Sequence, residues 1–305
     1  MINVLRRLGF AVASVLLVHA LAFFMLHSTR GGPFESNQQF SEETIAALEL
    51  RYHLDEPMLI QYWHSLQGVA TLDFGPSLQY HGTSVQELLG AAMPISFVLG
   101  GGALLIAIIV GLAAGMFVAT SNSRWRVTAV RLSGSTLLAT PNFVIAGILI
   151  SVFAFGLGWV PVAGHRQLSS WILPCCALGL PLAAQLFVLI QHHAQQARNS
   201  NAYRSAVARG FSAQRLNFNY ILRPSLTPVL AFMGPAAAGI LTGSLVVEQI
   251  FSLPGLGTFF VQAALARDYT LALGVTVVYT AILASCTLVA DVLIMKFDPR
   301  NEAIS

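Results

Sequence analysis

The sequence predicts an all-α polytopic membrane protein with six transmembrane helices. Of its 305 residues, 55% are hydrophobic and only 10% are charged, whereas soluble domains carry about a quarter charged residues. Six apolar runs are each long enough to cross a bilayer as a helix. Apolar surface in such excess over charge must face lipid, so the composition excludes a soluble globular domain.

The predicted spans differ in how they begin and in what they contain. Arg6 and Arg7 precede the first run and no small-residue cleavage site follows it, so we expect an uncleaved first helix. Glycines and prolines in the later runs allow close helix packing where neighbouring helices satisfy the freed carbonyls. The spans are predicted at residues 8–26, 95–119, 132–155, 171–190, 229–247 and 271–295.

The basic residues predict the orientation of these spans. Segments assigned to the cytoplasmic side hold twelve Lys and Arg residues, and segments assigned to the outside hold four. Cytoplasmic loops of membrane proteins carry such an excess of positive charge. We therefore expect both termini, and residues 198–228, on the cytoplasmic side.

Residues 28–93 are polar and acidic, with eight acids against Arg30 and Arg51. They predict a small extracytoplasmic helical subdomain between the first and second spans. Ser41 is suited to cap one helix, Pro57 to begin another, and Ser84 and Glu87 form a capping box that leads to the membrane. The predicted domains are the first helix 1–27, this subdomain 28–93, a five-helix transmembrane domain 94–297 and a tail 298–305.

The only long polar stretch in the last two-thirds of the chain is residues 198–228, with five arginines and no acid. It predicts two short helices hinged on Gly210, which suits the left-handed residue that closes a helix. Ser200 or Asn201 is suited to cap the first helix, with a body over residues 202–209. Ser212 is suited to cap the second, which Pro224 is expected to end. By charge alone this is a basic loop that holds two helices at the cytoplasmic face.

Residues 243–268 are the second informative stretch. Glu248 is expected to close the fifth span, and residues 254–257, Pro-Gly-Leu-Gly, predict a turn. Helical spacing follows up to Arg267 and Asp268. From the residues alone, this stretch is a re-entrant turn between two helices.

The small-residue helix, Gly210 and the arginine-bearing helix that reaches Arg223 and Pro224 together resemble the EAA loop of ABC-importer permeases. Arg204-Ser-Ala stands at the position of Glu-Ala-Ala, and Asn201 stands where many relatives have an acid; the peptide branch of the family tolerates Arg-Thr-Ala there.

Other stretches, in the same order along nearly the whole chain, resemble the peptide branch. Residues 243–268 resemble its outer loop, and residues 234–244 resemble the fifth helix of oligopeptide permeases in particular. One departure is Arg30-Gly-Gly-Pro, where relatives usually have Pro-Gly-Asp/Ser-Pro. The remaining matches are Arg51-Tyr-His-Leu-Asp-Glu-Pro, Asp73-Phe-Gly-Pro-Ser, Asp291 and Asp298-Pro-Arg.

The resemblance implies the transmembrane domain of a type I ABC importer for oligopeptides in the bacterial cytoplasmic (inner) membrane. Its implied partners are a second homologous permease, two cytoplasmic ATPases and an extracytoplasmic peptide-binding protein. ATP and Mg would be bound by the ATPases, with no cofactor, metal or catalytic residue in this chain. The implied ATPase-coupling residues are Asn201, Tyr203, Arg204, Ser205, Ala206, Arg209, Gly210 and Phe211. The implied outer loop or gate consists of Glu248, Pro254, Gly255, Gly257, Arg267 and Asp268.

The missing motifs narrow the alternatives. The sequence has no G-x-x-x-x-G-K-[ST] phosphate loop, no H-E-x-x-H and no G-x-S-x-G, which disfavours an ATPase and an intramembrane hydrolase. A secondary transporter would show inverted repeats and charges near the membrane midplane, and the sequence shows neither. His19 and His27 are interpreted as interfacial or packed side chains, and the three cysteines as small packing residues. Asp291 is interpreted as a helix-packing or capping residue. A permease for dipeptides, nickel chelates or another small solute stays open.

Overall fold

A computed structural model describes residues 2–28, 54–80, 82–121 and 123–297. Within these ranges the regular structure is helical, apart from one isolated bridge between Pro76 and Ser84. The chain divides into two compact units. The first comprises Met1–Ser96 and Pro254–Ala284, and the second comprises Phe97–Leu253 and Ser285–Ser305.

Among the described residues, five continuous helical segments are long and apolar enough to cross a membrane, and a bent pair of helices, counted as one broken span, makes six. The continuous spans are Arg6–Ser28, Val85–Thr120, Leu168–Asn199, Ala213–Leu241 and Tyr269–Met295, and the broken one is Arg124–Ala139 with Asn142–Gly156. The prediction of an all-α polytopic membrane protein is confirmed. The shorter helices are Met58–Thr71, Asn201–Ala208, Leu245–Ile250 and Leu256–Ala266.

The third span is not the continuous helix that the sequence predicted. Its two halves meet at an angle of 112°. Thr140 is extended at ψ 125°, and Pro141 follows at ψ 144°. A proline disfavours helical geometry in the residue before it and has no N–H to donate, so the apolar run alone gave the wrong shape here.

The fifth span also departs from prediction, because Pro224 does not end a helix. Helix Ala213–Arg215 passes through a π-helical turn, Leu216–Leu222, into helix Arg223–Leu241. The N–H of Arg223 bonds to the carbonyl of Phe218, five residues back. A proline ring normally clashes with the carbonyl four residues before it. The wider π turn lets the chain pass Pro224 in the first turn of the next helix.

The second span begins ten residues earlier than predicted, at Val85. The capping box is confirmed: the N–H of Ser84 bonds to Glu87 Oε2 at 3.2 Å, and the N–H of Glu87 bonds to Ser84 Oγ at 3.3 Å. Pro94 is accommodated inside the helix. The expected boundary between residues 93 and 94 therefore falls within one continuous helix.

The fourth span, Ile172–Asn199, forms the centre of the second unit, and glycines let its neighbours approach it closely. A Cβ added at Gly111 would lie 2.7 Å from Leu186 Cβ, and one at Gly179 would lie 2.7 Å from the carbonyl oxygen of Ala103. Leu186 and Ile190 have no exposed surface. Contacts this short between spans require glycine, so the glycine-rich second span is explained by packing.

The described part of residues 28–93 packs on the first span. Pro57 precedes helix Met58–Thr71, as predicted. His19, which is buried, has Nε2 2.9 Å from Ser65 Oγ, and the rings of Phe23 and Tyr62 lie 5.3 Å apart. The helix predicted after Ser41, the stretch from Arg30 to Pro33 and the tail 298–305 lie outside the described residues. His19 is thus a packed side chain, as interpreted from the sequence.

Candidate functional site

Helix Asn201–Ala208 forms the first half of the polar stretch and begins at a serine cap. Ser200 is extended, and its Oγ accepts a hydrogen bond from the N–H of Tyr203 at 3.2 Å. An N-cap of this kind satisfies one of the free amides at the start of a helix. Of the two predicted caps, the structure selects Ser200, and Asn201 is the first helical residue.

Gly210 ends this helix in a left-handed conformation, with φ +73°. The N–H of Phe211 bonds to the carbonyl of Ala206 at 3.2 Å, and the N–H of Gly210 bonds to that of Val207 at 2.9 Å. This pair of bonds is the Schellman motif. Among the described residues, no heavy atom lies within 4 Å of a Cβ built at Gly210. The position therefore requires glycine for its backbone angle and not for space.

One face of this helix packs on the rest of the second unit, and the other face is exposed. Ala206 is fully buried. Tyr203 packs against a small cluster formed by Ala119, Ala194 and Ile221. The exposed positions on this helix and its C-cap include Asn201, Arg204, Ser205 and Arg209. The structure thus brings the predicted coupling residues together on one short helix and its closing turn.

Phe211 joins the two halves of the stretch. The Arg209 guanidinium lies 4.8 Å from the centre of its ring, and the Arg215 guanidinium lies 4.2 Å from it. Both distances are in the range of cation–π contacts. Ser212 caps the second helix, since its Oγ accepts from the N–H of Arg215 at 3.4 Å. The sequence indicated Arg209 and Phe211, but Arg215 was recognised only as one charge among five.

Glu248 does not close the fifth span, which was an incorrect prediction. The fifth span ends at Leu241, and Glu248 lies in a separate short helix, Leu245–Ile250. Its side chain has no exposed surface. The left-handed Gly243, at φ +92°, separates the two helices. A glycine followed by Ser244 was the signal in the sequence that marked this break.

Pro254 and Gly255 lead into helix Leu256–Ala266, and the start of that helix is anchored in the first unit. Gly255 is extended, and the N–H of Leu256 bonds to Ser96 Oγ at 2.8 Å. Ser96, Leu256 and Gly257 are buried. The chain turns before this helix, but at Phe251 and Ser252 and not at residues 254–257 as predicted, because Leu256 and Gly257 are already helical. The helix is longer than the sequence indicated.

Arg267 ends that helix in a left-handed conformation, at φ +55°. The next N–H, that of Asp268, bonds to the carbonyl of Ala263 at 2.9 Å. A non-glycine residue in this region costs about 1–2 kcal/mol, so the surrounding contacts must hold the turn. They are provided largely by Asp268.

The Asp268 carboxylate is fully buried and faces four donor groups. Oδ1 accepts from the N–H of Leu271 at 3.1 Å and lies 3.0 Å from the Thr270 hydroxyl, so Asp268 is the N-cap of the last span. Oδ2 accepts from the Ser77 hydroxyl and from the N–H of Gln79 at 3.2 Å. Among the residues that the structure describes, Asp268 therefore links the last span to loop 73–80.

Sequence reasoning identified Asp268 but missed its partners in loop 73–80. Ser77 belongs to the Asp73-Phe-Gly-Pro-Ser motif, which was recognised only as part of a family resemblance. In addition, Gln79 Nε2 donates to the carbonyl of Ala266 at 2.8 Å, and the Tyr80 hydroxyl lies 2.9 Å from Gln262 Oε1. A motif of turn residues far from Asp268 in sequence gave no signal of this pairing.

The two clusters, residues 198–228 and the surroundings of Asp268, differ in exposure. In the ranges that the structure describes, no group of three or more His, Cys, Asp or Glu side chains could hold a metal ion. The 198–228 stretch presents an exposed basic helix, and the Asp268 cluster fixes a loop against two helices.

Comparisons with known proteins identify the family of the chain. Residues 111–302 match the family model described as "Binding-protein-dependent transport system inner membrane component". The oligopeptide transport system permease protein OppB of Salmonella typhimurium is 38% identical over 300 residues, which is 97% of this chain and 98% of the relative. OppB of Escherichia coli K12 is 37% identical over the same shares. The dipeptide transport system permease protein DppB of Bacillus subtilis is 33% identical, over 97% of this chain and 96% of the relative.

The matched segment contains all the described spans from the third onward, and the relatives align over nearly the whole chain. The matches therefore include both clusters described above. The chain belongs to the family of binding-protein-dependent transport system inner membrane components.

Proposed function

We propose that this chain is a pore-forming permease subunit of an ATP-driven importer that moves oligopeptides across the inner membrane. The observation that carries the proposal is the exposed helix Asn201–Ala208, which is capped by Ser200, closed by Gly210 and held in place through Tyr203. The names of the relatives, oligopeptide and dipeptide permeases, support the substrate class.

The proposed partners supply the chemistry that this chain lacks. Two cytoplasmic ATPase subunits bind ATP and Mg, a second homologous permease completes the pore, and an extracytoplasmic binding protein delivers peptide. Both termini and the helix Asn201–Ala208 lie on the cytoplasmic side, and residues 28–93 lie outside. The positive-inside distribution of Lys and Arg supports this orientation.

Coupling proceeds through the docked helix. Closure of the ATPase dimer displaces helix Asn201–Ala208. Tyr203 packs on the second, fourth and fifth spans through Ala119, Ala194 and Ile221, so the displacement is passed to three spans at once. A short helix fixed at one face and exposed at the other transmits a push better than a mobile loop does. We assign contact with the ATPase to Asn201, Arg204, Ser205 and Arg209, which are exposed.

The test is co-purification with the ATPase subunits in mild detergent, followed by ATP-dependent uptake of labelled oligopeptide in proteoliposomes. Arg204→Glu places the opposite charge on the exposed face of the helix. We expect it to lower both ATPase recovery and uptake by about tenfold or more. Arg166→Glu is the matched control, because Arg166 is also exposed and lies outside this stretch. Unchanged recovery and uptake with Arg204→Glu would refute the coupling assignment.

The same uptake assay distinguishes an oligopeptide permease from a dipeptide permease. Unlabelled peptides of increasing length are added as competitors, and the length that competes best indicates the substrate class. We expect peptides longer than a dipeptide to compete best. If dipeptides compete best, the chain is a dipeptide permease, as the name of the Bacillus relative suggests.

A further inference from the structure

We infer that Asp268 is a positioning residue that makes loop 73–80, helix Leu256–Ala266 and the start of the last span a single moving element of the proposed importer. This inference rests on the proposed function and deepens it. It assigns to Asp268 a role that the expected gate did not include, namely joining three segments so that they move together.

The carboxylate is divided between two tasks. Oδ1 caps the last span through the N–H of Leu271. Oδ2 holds loop 73–80 through the Ser77 hydroxyl and the N–H of Gln79. The charge has no access to water, so each bond made to it is stronger than an exposed one, and an unsatisfied charge at this site would be costly.

Further bonds tie the loop to both helices. The Thr270 hydroxyl lies 2.9 Å from the carbonyl of Pro76 as well as near Asp268, and its single proton serves one acceptor at a time. Gln79 Nε2 bonds to the carbonyl of Ala266 at the end of the helix. The Tyr80 hydroxyl bonds to Gln262 within the helix, and the Tyr80 ring lies 5.9 Å from that of Phe259.

Packing closes the remaining space between the loop and the last span. A Cβ built at Gly274 would lie 2.7 Å from Val85 Cγ1 and 3.4 Å from the Phe74 ring. The loop is thus in contact with the last span beyond the hydrogen bonds at Asp268. Separating these segments during transport would strip partners from a buried charge, whereas moving them together would strip none.

Asp268→Asn distinguishes the two tasks of the carboxylate. The amide oxygen can keep the Oδ1 position, and asparagine is as good an N-cap as aspartate. The amide NH₂ then faces the N–H of Gln79, with which it cannot bond, since both are donors. It also faces Ser77 Oγ, which already accepts from the N–H groups of Gln79 and Tyr80. The variant should insert and assemble normally, but its loop is released from Oδ2. We expect peptide uptake to fall about tenfold or more at equal subunit recovery.

A covalent link between loop 73–80 and helix Leu256–Ala266 tests whether Asp268 acts by holding the two together. Tyr80→Cys and Gln262→Cys, in a background with the three native cysteines replaced, are joined by a short bifunctional methanethiosulfonate. In the Asp268→Asn variant we expect this link to restore uptake. With Asp268 intact, we expect the link to leave uptake within about twofold of the unlinked pair. If the link blocks transport with Asp268 intact, or does not rescue Asp268→Asn, the inference is wrong; full uptake by unlinked Asp268→Asn would also refute it.

Ser77→Ala is the second variant if Asp268→Asn fails to accumulate, since it removes one donor from Oδ2 and leaves the cap untouched. A readout without peptide keeps the proposed function separate. Nitroxides at Asp73 in the loop and Leu265 in the helix, both of which are exposed, should show the same dipolar coupling in the nucleotide-free and vanadate-trapped complexes. A change in that coupling would show that the loop and the helix separate. Absence of uptake by the parent complex would refute the oligopeptide importer and leave this spectroscopic result to decide on Asp268.

Discussion

Replacing Gly102 by alanine introduces a methyl group where the structure has no room for one. The added Cβ would lie 2.5 Å from Cys175 Sγ, whereas unstrained contacts between such atoms begin at about 3.5 Å. The sulfur or one of the spans must move by about 1 Å. Cys175 is buried, and its S–H donates weakly to the carbonyl of Leu99 at 3.6 Å. Overpacking of this kind costs about 1–3 kcal/mol.

A second substitution should cancel this cost. Cys175→Ala removes the sulfur, and the nearest remaining atom is then Cys175 Cβ, at 3.4 Å from the new methyl group. Alone, Cys175→Ala leaves a small void and should cost about 1 kcal/mol. In the double variant the methyl group of residue 102 enters that void. We therefore expect a favourable coupling energy of about 1–2 kcal/mol between the two sites.

Thermal unfolding of the purified chain, followed by tryptophan fluorescence, measures this double-mutant cycle. Gly102→Ala should lower the midpoint by about 2–4 °C for each kcal/mol, and the double variant should recover most of the loss. Gly101→Ala is the matched control, since no described heavy atom lies within 4 Å of a Cβ at that position. Equal destabilisation by Gly102→Ala with and without Sγ would refute the packing argument.

Three other outcomes follow from the structure. Gly210→Val adds about 1–2 kcal/mol of backbone strain, so membrane levels should be normal while peptide uptake and peptide-stimulated ATP hydrolysis are lost. The control, Ser200→Ala, costs about 1 kcal/mol without redirecting the chain and should retain most activity. Normal uptake by Gly210→Val would mean that residues 198–228 are only a basic anchor. An impermeant maleimide applied from outside should label Gln67→Cys and spare Gln214→Cys; the reverse pattern would overturn the orientation. The purified chain alone should hydrolyse no ATP above background, and hydrolysis that survives removal of contaminating ATPases would contradict the assignment of ATP binding to its partners.

The parts of the fold that local chemistry decides were predictable from the sequence. Ser84 with Glu87, Ser200, Gly210 and Ser212 each act on amides or carbonyls within three to five residues. A cap of this kind needs no information from elsewhere in the chain. The positions of the apolar runs are equally local, because bilayer thickness sets the minimum length of a span. The helices extend beyond these runs, as the second span does by ten residues at its start.

The parts that depend on distant residues were not predictable. The prediction that Pro224 ends the second helix of residues 198–228 was wrong, because the preceding turn is π-helical. No local sequence pattern indicates such a turn. Pro141 lies within the predicted third span, but nothing in the sequence gives the size of the bend at that position. The partner of Asp268 on Oδ2, Ser77, is 191 residues away in sequence. One sequence without covarying relatives contains no signal for such a pair.

The bend at Pro141 has a consequence for how the cell handles this protein. Pro141 and Asn142 are exposed on the chain itself, and a break in a helix within lipid leaves main-chain groups that lipid cannot satisfy. Where this break meets lipid, a newly made copy without a protein neighbour leaves those main-chain groups without partners. We expect surveillance proteases to remove such orphan copies, so that the amount of this chain in the membrane follows the supply of its scarcest partner and not its own rate of synthesis.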